Sequence, residues 1–258
     1  NTDTAAVQAF PADVYRFPAL SFFGLVPAAL VGIDVAAFLA RAQQMARACG
    51  PNVPTESNPG VVLGAVLFHL HMQGRDKLTF VLDPAIASFG YWVEQLVAES
   101  LGKIGKGIVP VEGEALGAPS VYGPDRVFAR LKLAAGADRY GRRLRPLVRA
   151  GHPVIELTLR DKLDLAAELY RWEIATAAAG SLMELNPFDE PNVQESKDNT
   201  DRLLREFRSS GQLPAEVPTL SQGRLKVVVP AALERKLAPR AGRNRLVGLA
   251  SNFLKLAR

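Results

Sequence analysis

The sequence predicts an α/β protein: a three-layer αβα sandwich around a parallel sheet, followed by a basic C-terminal extension. Three observations lead there. Short apolar runs rich in Val, Ile and Phe alternate with longer Ala- and Leu-rich helical stretches. The connections between them are short, which suits crossover units in a parallel sheet covered on both faces. The basic excess sits at the end of the chain: from Asp201 to Arg258 there are 12 Lys/Arg against 4 Asp/Glu, a net of +8, while the remainder is net −3.

The elements follow in order. Residues Phe23 to Cys49 read as one Ala-rich helix ended by the Gly-Pro-Asn-Val-Pro breaker. Pro59 to Gln73 is a second helix, with Asn58 as N-cap and Pro at the first helical position. The run KLTFVLD reads as a buried strand, and Ala85 to Ser100 as a helix. Strands follow at KGIVPVE, DRVFARLKL and HPVIELTL, with a short basic helix, Gly141 to Ala150, between the last two. Asp161 to Leu185 is a long helix, and another begins around Gln194 and runs to about Phe207. Beyond it SSGQLPAEVPTLSQG is linker-like, RLKVVVP reads as an edge strand, and Arg243 to Ala257 as a terminal basic helix. In a parallel sheet the ligand is expected at the carboxyl ends of the strands.

Composition narrows the classes. The hydrophobic share of 48% over 258 residues is enough for a sizeable core. A single cysteine, Cys49, excludes a disulfide framework and points to a reducing, cytoplasmic setting. The start has neither a basic n-region nor an apolar h-region, so no signal peptide is expected, and the first residue is not Met, so the chain is expected to begin inside a longer protein. The longest apolar run, PGVVLGAVLFHLHM, is too short for a bilayer and carries two histidines. No aromatic residues interleave the basic tail as a stacking platform for nucleic acid requires, so the tail reads as a solvated helix surface. His69 and His71 are two apart on a helix and face different sides, so no metal site is expected there. His152 reads as a loop residue before a strand.

Two polar segments stand out. In YWVEQLVAESLGKIGKG, Gln95 and Glu99 share one helix face. Glu99 lies near the helix C-terminus, where a carboxylate is electrostatically disfavoured; one reading is a base held there to take a proton at neutral pH, although spacing alone favours a surface role. The competing reading is a surface carboxylate paired with Lys103. In ELNPFDEPNVQESKDNT an apolar helix ends, two prolines force an irregular loop, and a new helix carries Lys197 in its early turns. A cation there opposes the helix dipole and suits a sugar-facing acid or clamp. The competing reading has Glu195 and Asp198 neutralising Lys197. Arg16, before the first helix, is the third candidate.

These strings resemble the phosphoglucose isomerase (glucose-6-phosphate isomerase) family. EQLVAESLGKIGKG is similar to that family's Gln-x-x-x-Glu-Ser-x-Gly-Lys motif, and NPFDEPNVQESK to its NPFDxPxVxxxK motif, in the same order. The stretch from GHPVIELTL to Thr200 resembles the isomerase half of bifunctional transaldolase/phosphoglucose isomerase proteins, and the resemblance runs from about Tyr15 to Thr200.

The resemblance implies a sugar-isomerase (SIS-type) domain at 58–208, entered through a helical segment at 1–57 and followed by the extension at 209–258. It implies aldose–ketose isomerisation through a cis-enediolate. Glu99 would be the base, Gln95 would bind near the substrate, Lys197 would assist ring opening, and Arg16 would stabilise the enediolate. No cofactor and no metal are implied; the partners would be a sugar phosphate and either a second subunit or missing domains of the same protein.

The sequence also departs from the family. Val14-Tyr15 precede Arg16 where the family has Gly-Gly, no Ser/Thr-rich phosphate loop is evident, and no histidine has the Gly-Gln-His context. The chain is therefore expected to be partial and poorly active alone. The alternative is a non-catalytic sugar-phosphate-binding module of the same fold. A transaldolase barrel does not fit within this length.

Overall fold

The structure is a computed structural model that describes residues 17, 19–136, 138–189, 191–213, 217–237 and 245–256. It divides into two compact units, Asn1–Val193 and Gln194–Arg258.

The first unit is built on four parallel strands, β1 (Lys77–Leu82), β2 (Val109–Val111), β3 (Arg126–Leu133) and β4 (Val154–Leu159), in the order β2-β1-β3-β4. The first four strands expected from the sequence are present, and the layered α/β class stands. The single helix expected over Phe23 to Cys49 is two helices, α1 (Phe22–Leu30) and α2 (Val35–Ala48). Gly32 adopts φ +87 and Asp34 caps the second helix by accepting the Ala37 N–H at 3.0 Å, which breaks the run. α3 (Pro59–Met72) starts as expected: Asn58 Oδ1 accepts the Val61 N–H at 3.0 Å and Pro59 takes the first position. The stretch after β1 begins with a 3₁₀ turn, Pro84–Ile86, before α4 (Phe89–Leu101). α5 (Gly141–Arg149) forms the crossover from β3 to β4, α6 (Leu165–Leu182) follows the last strand, and α7 (Pro191–Ser210) begins three residues ahead of the expected Gln194.

The two sheet faces are covered unequally. Alternate residues Leu78, Phe80 and Leu82 of β1 and Val127, Ala129 and Leu131 of β3 meet the inner sides of α3, α4 and α6 in the main core. Trp172 of α6 is fully buried there, its ring 5.3 Å from Phe80. On the opposite face, α5 packs Leu144 and Leu147 on Val81 and Phe128. Tyr122 and buried His152 add edge-on ring contacts to Phe128, so His152 is a packed residue of that smaller core.

In the second unit, RLKVVVP does not extend the parallel sheet. Leu225–Val227 (β6) pairs antiparallel with Leu220–Gln222 (β5) across a turn at Gly223, φ +60, drawing its partner from the expected linker. A short helix α8 (Ala231–Leu237), not anticipated, follows, and Asn252 of α9 (Arg245–Leu256) donates to the Leu237 carbonyl at 3.1 Å.

α3 and α6 pack through small residues. A Cβ on Gly64 would lie 2.4 Å from the Ala175 carbonyl oxygen and 2.8 Å from Ala178 Cβ. There is no flexible side chain to move aside, so Gly64→Ala is expected to destabilise by about 1–3 kcal/mol, read as a lower urea midpoint at unchanged slope.

α6 also carries two carboxyls held in the interior. Burial pushes Glu168 up to about 7, opposed by Arg171 at 3.4 Å and reinforced by Asp164. Burial alone pushes Glu173 up to about 8, and its Oε1 has no hydrogen-bond partner. A carboxyl that stays protonated when folded but ionises when unfolded makes stability fall as pH rises between about 4.5 and 8. Glu173→Gln is therefore expected to raise the urea midpoint at about pH 8.5 and leave it unchanged at about pH 4, where both states are protonated.

Candidate active site

α4 runs antiparallel to β1, so its C-terminus returns to the amino ends of the strands. Gln95 and Glu99 are both exposed there on one helix face, and Gln95 Nε2 donates to Glu99 Oε1 at 3.3 Å. The expectation of a site at the carboxyl ends is thus corrected for these residues. They sit late on a crossover helix, and such helices end where the strands begin.

Past the helix the chain makes a tight turn, Lys103-Ile104-Gly105-Lys106, closed by paired backbone hydrogen bonds between Lys103 and Lys106. Ile104 and Gly105 both have positive φ. Both lysines reach across to the segment that follows α6. Lys103, buried, donates to the Asn186 carbonyl at 2.6 Å, the Asp189 carbonyl at 2.7 Å and the Asp189 carboxylate. An ammonium has three donors, and all three are used here. The reading in which Lys103 neutralises Glu99 is therefore not what the structure shows. Lys106 Nζ donates to the Met183 carbonyl at 3.0 Å, and Asn192 Nδ2 to the Gly102 carbonyl at 3.3 Å.

The loop itself is locally specified. Glu184 takes φ +59 at the end of α6, and Leu185 N–H reaches back to the Gly180 carbonyl at 2.8 Å, the pattern of a helix-terminating motif normally built on glycine. Asn186 Oδ1 accepts the Phe188 N–H at 3.1 Å. Phe17 packs against Phe188 in a tilted pair, ring centroids 5.1 Å apart and planes at 47°. Among the described residues, Ile104 and Glu184 are the non-glycine residues with positive φ, and both flank this junction. Backbone held in such conformations is a feature of functional sites.

The two segments singled out in the sequence, ESLGKIGKG and NPFDEPNV, are therefore joined directly. Arg16 lies outside the described residues; its neighbour Phe17 is the residue on Phe188. Lys197 lies on α7 within the second unit and is exposed; Asp198 accepts from Gln194 Nε2 at 2.8 Å, and no ion pair is formed by Lys197 among the described residues. Sequence reasoning missed the bracing role of Lys103 and Lys106. Their partners lie 83, 86 and 77 residues away, and no local pattern reports such a contact. His69 pairs with Gln73 at 2.9 Å along α3. No group of three His, Cys, Asp or Glu side chains among the described residues is placed to hold a metal, and no described helix is long and apolar enough to cross a membrane.

This geometry defines a parallel α/β domain with an exposed Gln–Glu pair beside a braced polar loop. No family model matches the chain. In sequence it is related to proteins named glucose-6-phosphate isomerase, and the resemblance read from the two motifs stands. The probable glucose-6-phosphate isomerase of Haloarcula marismortui is 31% identical over 229 residues, covering 74% of this chain and 51% of that protein. The glucose-6-phosphate isomerase of Rubrobacter xylanophilus is 30% identical over 242 residues, covering 76% and 54%. The chain spans about half the length of the curated relatives it matches. Among solved structures, a hypothetical protein from Thermus thermophilus superposes with TM-score 0.63 at 25% identity, covering 74% of this chain and 55% of that one. A glucose-6-phosphate isomerase from Chlamydia trachomatis shares the fold, with TM-score 0.59 at 15% identity over 79% and 52% of the two chains.

Lys103→Met keeps the aliphatic stem but leaves two loop carbonyls without their donor. It is expected to cost about 1–3 kcal/mol and to speed amide exchange selectively over 183–189, read by hydrogen-exchange mass spectrometry.

Proposed function

We propose that the chain is the proton-transfer part of a glucose-6-phosphate isomerase, interconverting glucose 6-phosphate and fructose 6-phosphate in glycolysis and gluconeogenesis. The observation that carries this reading is the direct tie between the two motifs: the Glu99 helix end and the NPFD loop are joined through Lys103. The curated relatives support it.

In this reading Glu99 takes a proton from C2 of the open-chain aldose and returns it to C1, through a cis-enediolate, and the reverse direction uses the same group. Gln95, already bonded to Glu99, orients the carboxylate and contacts substrate. Lys197 assists ring opening. Arg16 stabilises the charge that develops on the enediolate oxygen, where a fixed cation lowers the transition state more than the ground state. The remaining parts of the site, a phosphate loop above all, come from other domains of the same protein or from a second subunit. The domain is of the SIS type at 58–208 between a helical lead-in at 1–57 and a basic extension at 209–258. The setting is cytoplasmic, and an upstream transaldolase is the expected fusion partner.

The test is solvent-deuterium incorporation into fructose 6-phosphate. This chain is expected to support slow exchange at C1, and Glu99→Gln to lose it by about 10²-fold or more. Exchange that survives Glu99→Gln would sink the assignment. Binding of fructose 6-phosphate with no exchange in either protein would favour the non-catalytic module.

A further inference from the structure

The thinly covered face of the sheet holds a second polar site, away from α4. Between α5 and the β3–β4 pair lies a cavity of about 410 Å³. It is lined by Arg130 and Lys132 of β3, Glu156 of β4, Asp138, and Arg145 and Arg149 of α5. Four cations against two carboxylates give it a net charge of +2 if all are ionised.

The cations differ in how they are used. Arg130 is buried and is held by Glu156 Oε2 at 2.8 Å and by the Asp138 carboxylate. Its Nε, also buried, has no partner. Lys132 pairs with Glu156 Oε1 at 2.6 Å. Arg145 and Arg149 are exposed on α5 and form no ion pair among the described residues. Asp138 is informative because its carboxylate touches both Arg130 and the Gly141 N–H, at 2.8 Å, at the N-terminus of α5. That backbone donor and that guanidinium hold Asp138 Oδ1 well below the usual carboxylate range, the Gly141 N–H having the larger effect. The protein thus already seats an anion between an arginine and a helix N-terminus, and it does so with a side chain that is 56% exposed and can swing away.

We propose that this cavity is a phosphate-binding site, with Arg145, Arg149 and Lys132 as its cationic wall and Arg130 as its buried floor, and with Asp138 occupying the anion position when no ligand is present. Arginines suit phosphate because their planar forks match its oxygens. The apolar side of the cavity, Leu144, Val148 and Val154, suits the carbon body of a small phosphate monoester.

Isothermal titration of the full chain with inorganic phosphate, and separately with glycerol 3-phosphate, tests this. A saturable single site is expected for the unmodified chain. Arg145→Glu with Arg149→Glu is expected to weaken it at least ~10-fold, about 1.4 kcal/mol. Arg205→Glu with Arg208→Glu, the same charge change on exposed positions of α7, is expected to leave it intact. Tighter binding of the monoester would identify an organic phosphate as the ligand, and equal binding would identify free phosphate; both outcomes uphold the site. Equal weakening by the two charge-reversal pairs would reduce the effect to diffuse charge and overturn the proposal. So would the absence of saturation in the unmodified chain.

Discussion

A single buried ammonium organises the candidate active site. Lys103 is one of very few charged groups in the interior, and removing a charge from water is tolerable only when its donors are all satisfied. Here they are satisfied by the loop that ends α6, so the cation and the loop specify each other. The turn that aims Lys103 uses left-handed backbone at Ile104, and the loop that receives it uses left-handed backbone at Glu184. Each conformation is unfavourable by itself, and each is held by the contacts the other makes possible.

That arrangement also takes Lys103 away from the helix surface on which Glu99 lies. Lys103 stands four residues on from Glu99, and its ammonium is turned inward and saturated by the loop. The helix end therefore presents Gln95 and Glu99 as a pair on an exposed face, while the residues on the far side, Leu96, Val97 and Leu101, anchor the helix in the main core.

Much of the fold was legible because it rests on local patterns. Four strands were readable as short apolar runs between breakers, and Asn58-Pro59 announced the start of α3. The break between α1 and α2 was written as Gly32-Ile33-Asp34 but was overridden by the Ala-rich periodicity around it. β5 and α8 were missed because three-residue and seven-residue elements give too short a window for any period to emerge. At the candidate site, Gln95 and Glu99 were legible as a pair on one helix face from their spacing of four, and the hydrogen bond between them follows from it. The brace was not, since a contact between Lys103 and Asn186 is a property of topology and leaves no trace in nearby residues. The same holds for the sheet end that Gln95 and Glu99 approach, which follows from their place late on a crossover helix and not from residue type.

The ion pair between Arg130 and Glu156 bears on how the sheet assembles. The two residues are direct partners in the β3–β4 ladder. A slip of one residue would turn the apolar side of β4 outward, which hydrophobic burial forbids. A slip of two would keep the faces correct, and apolarity alone would hardly notice it. It would, however, set the guanidinium opposite Val154 or Thr158 and part it from Glu156. The pair thus acts as an alignment key, discriminating among the very pairings that greasy contacts leave degenerate.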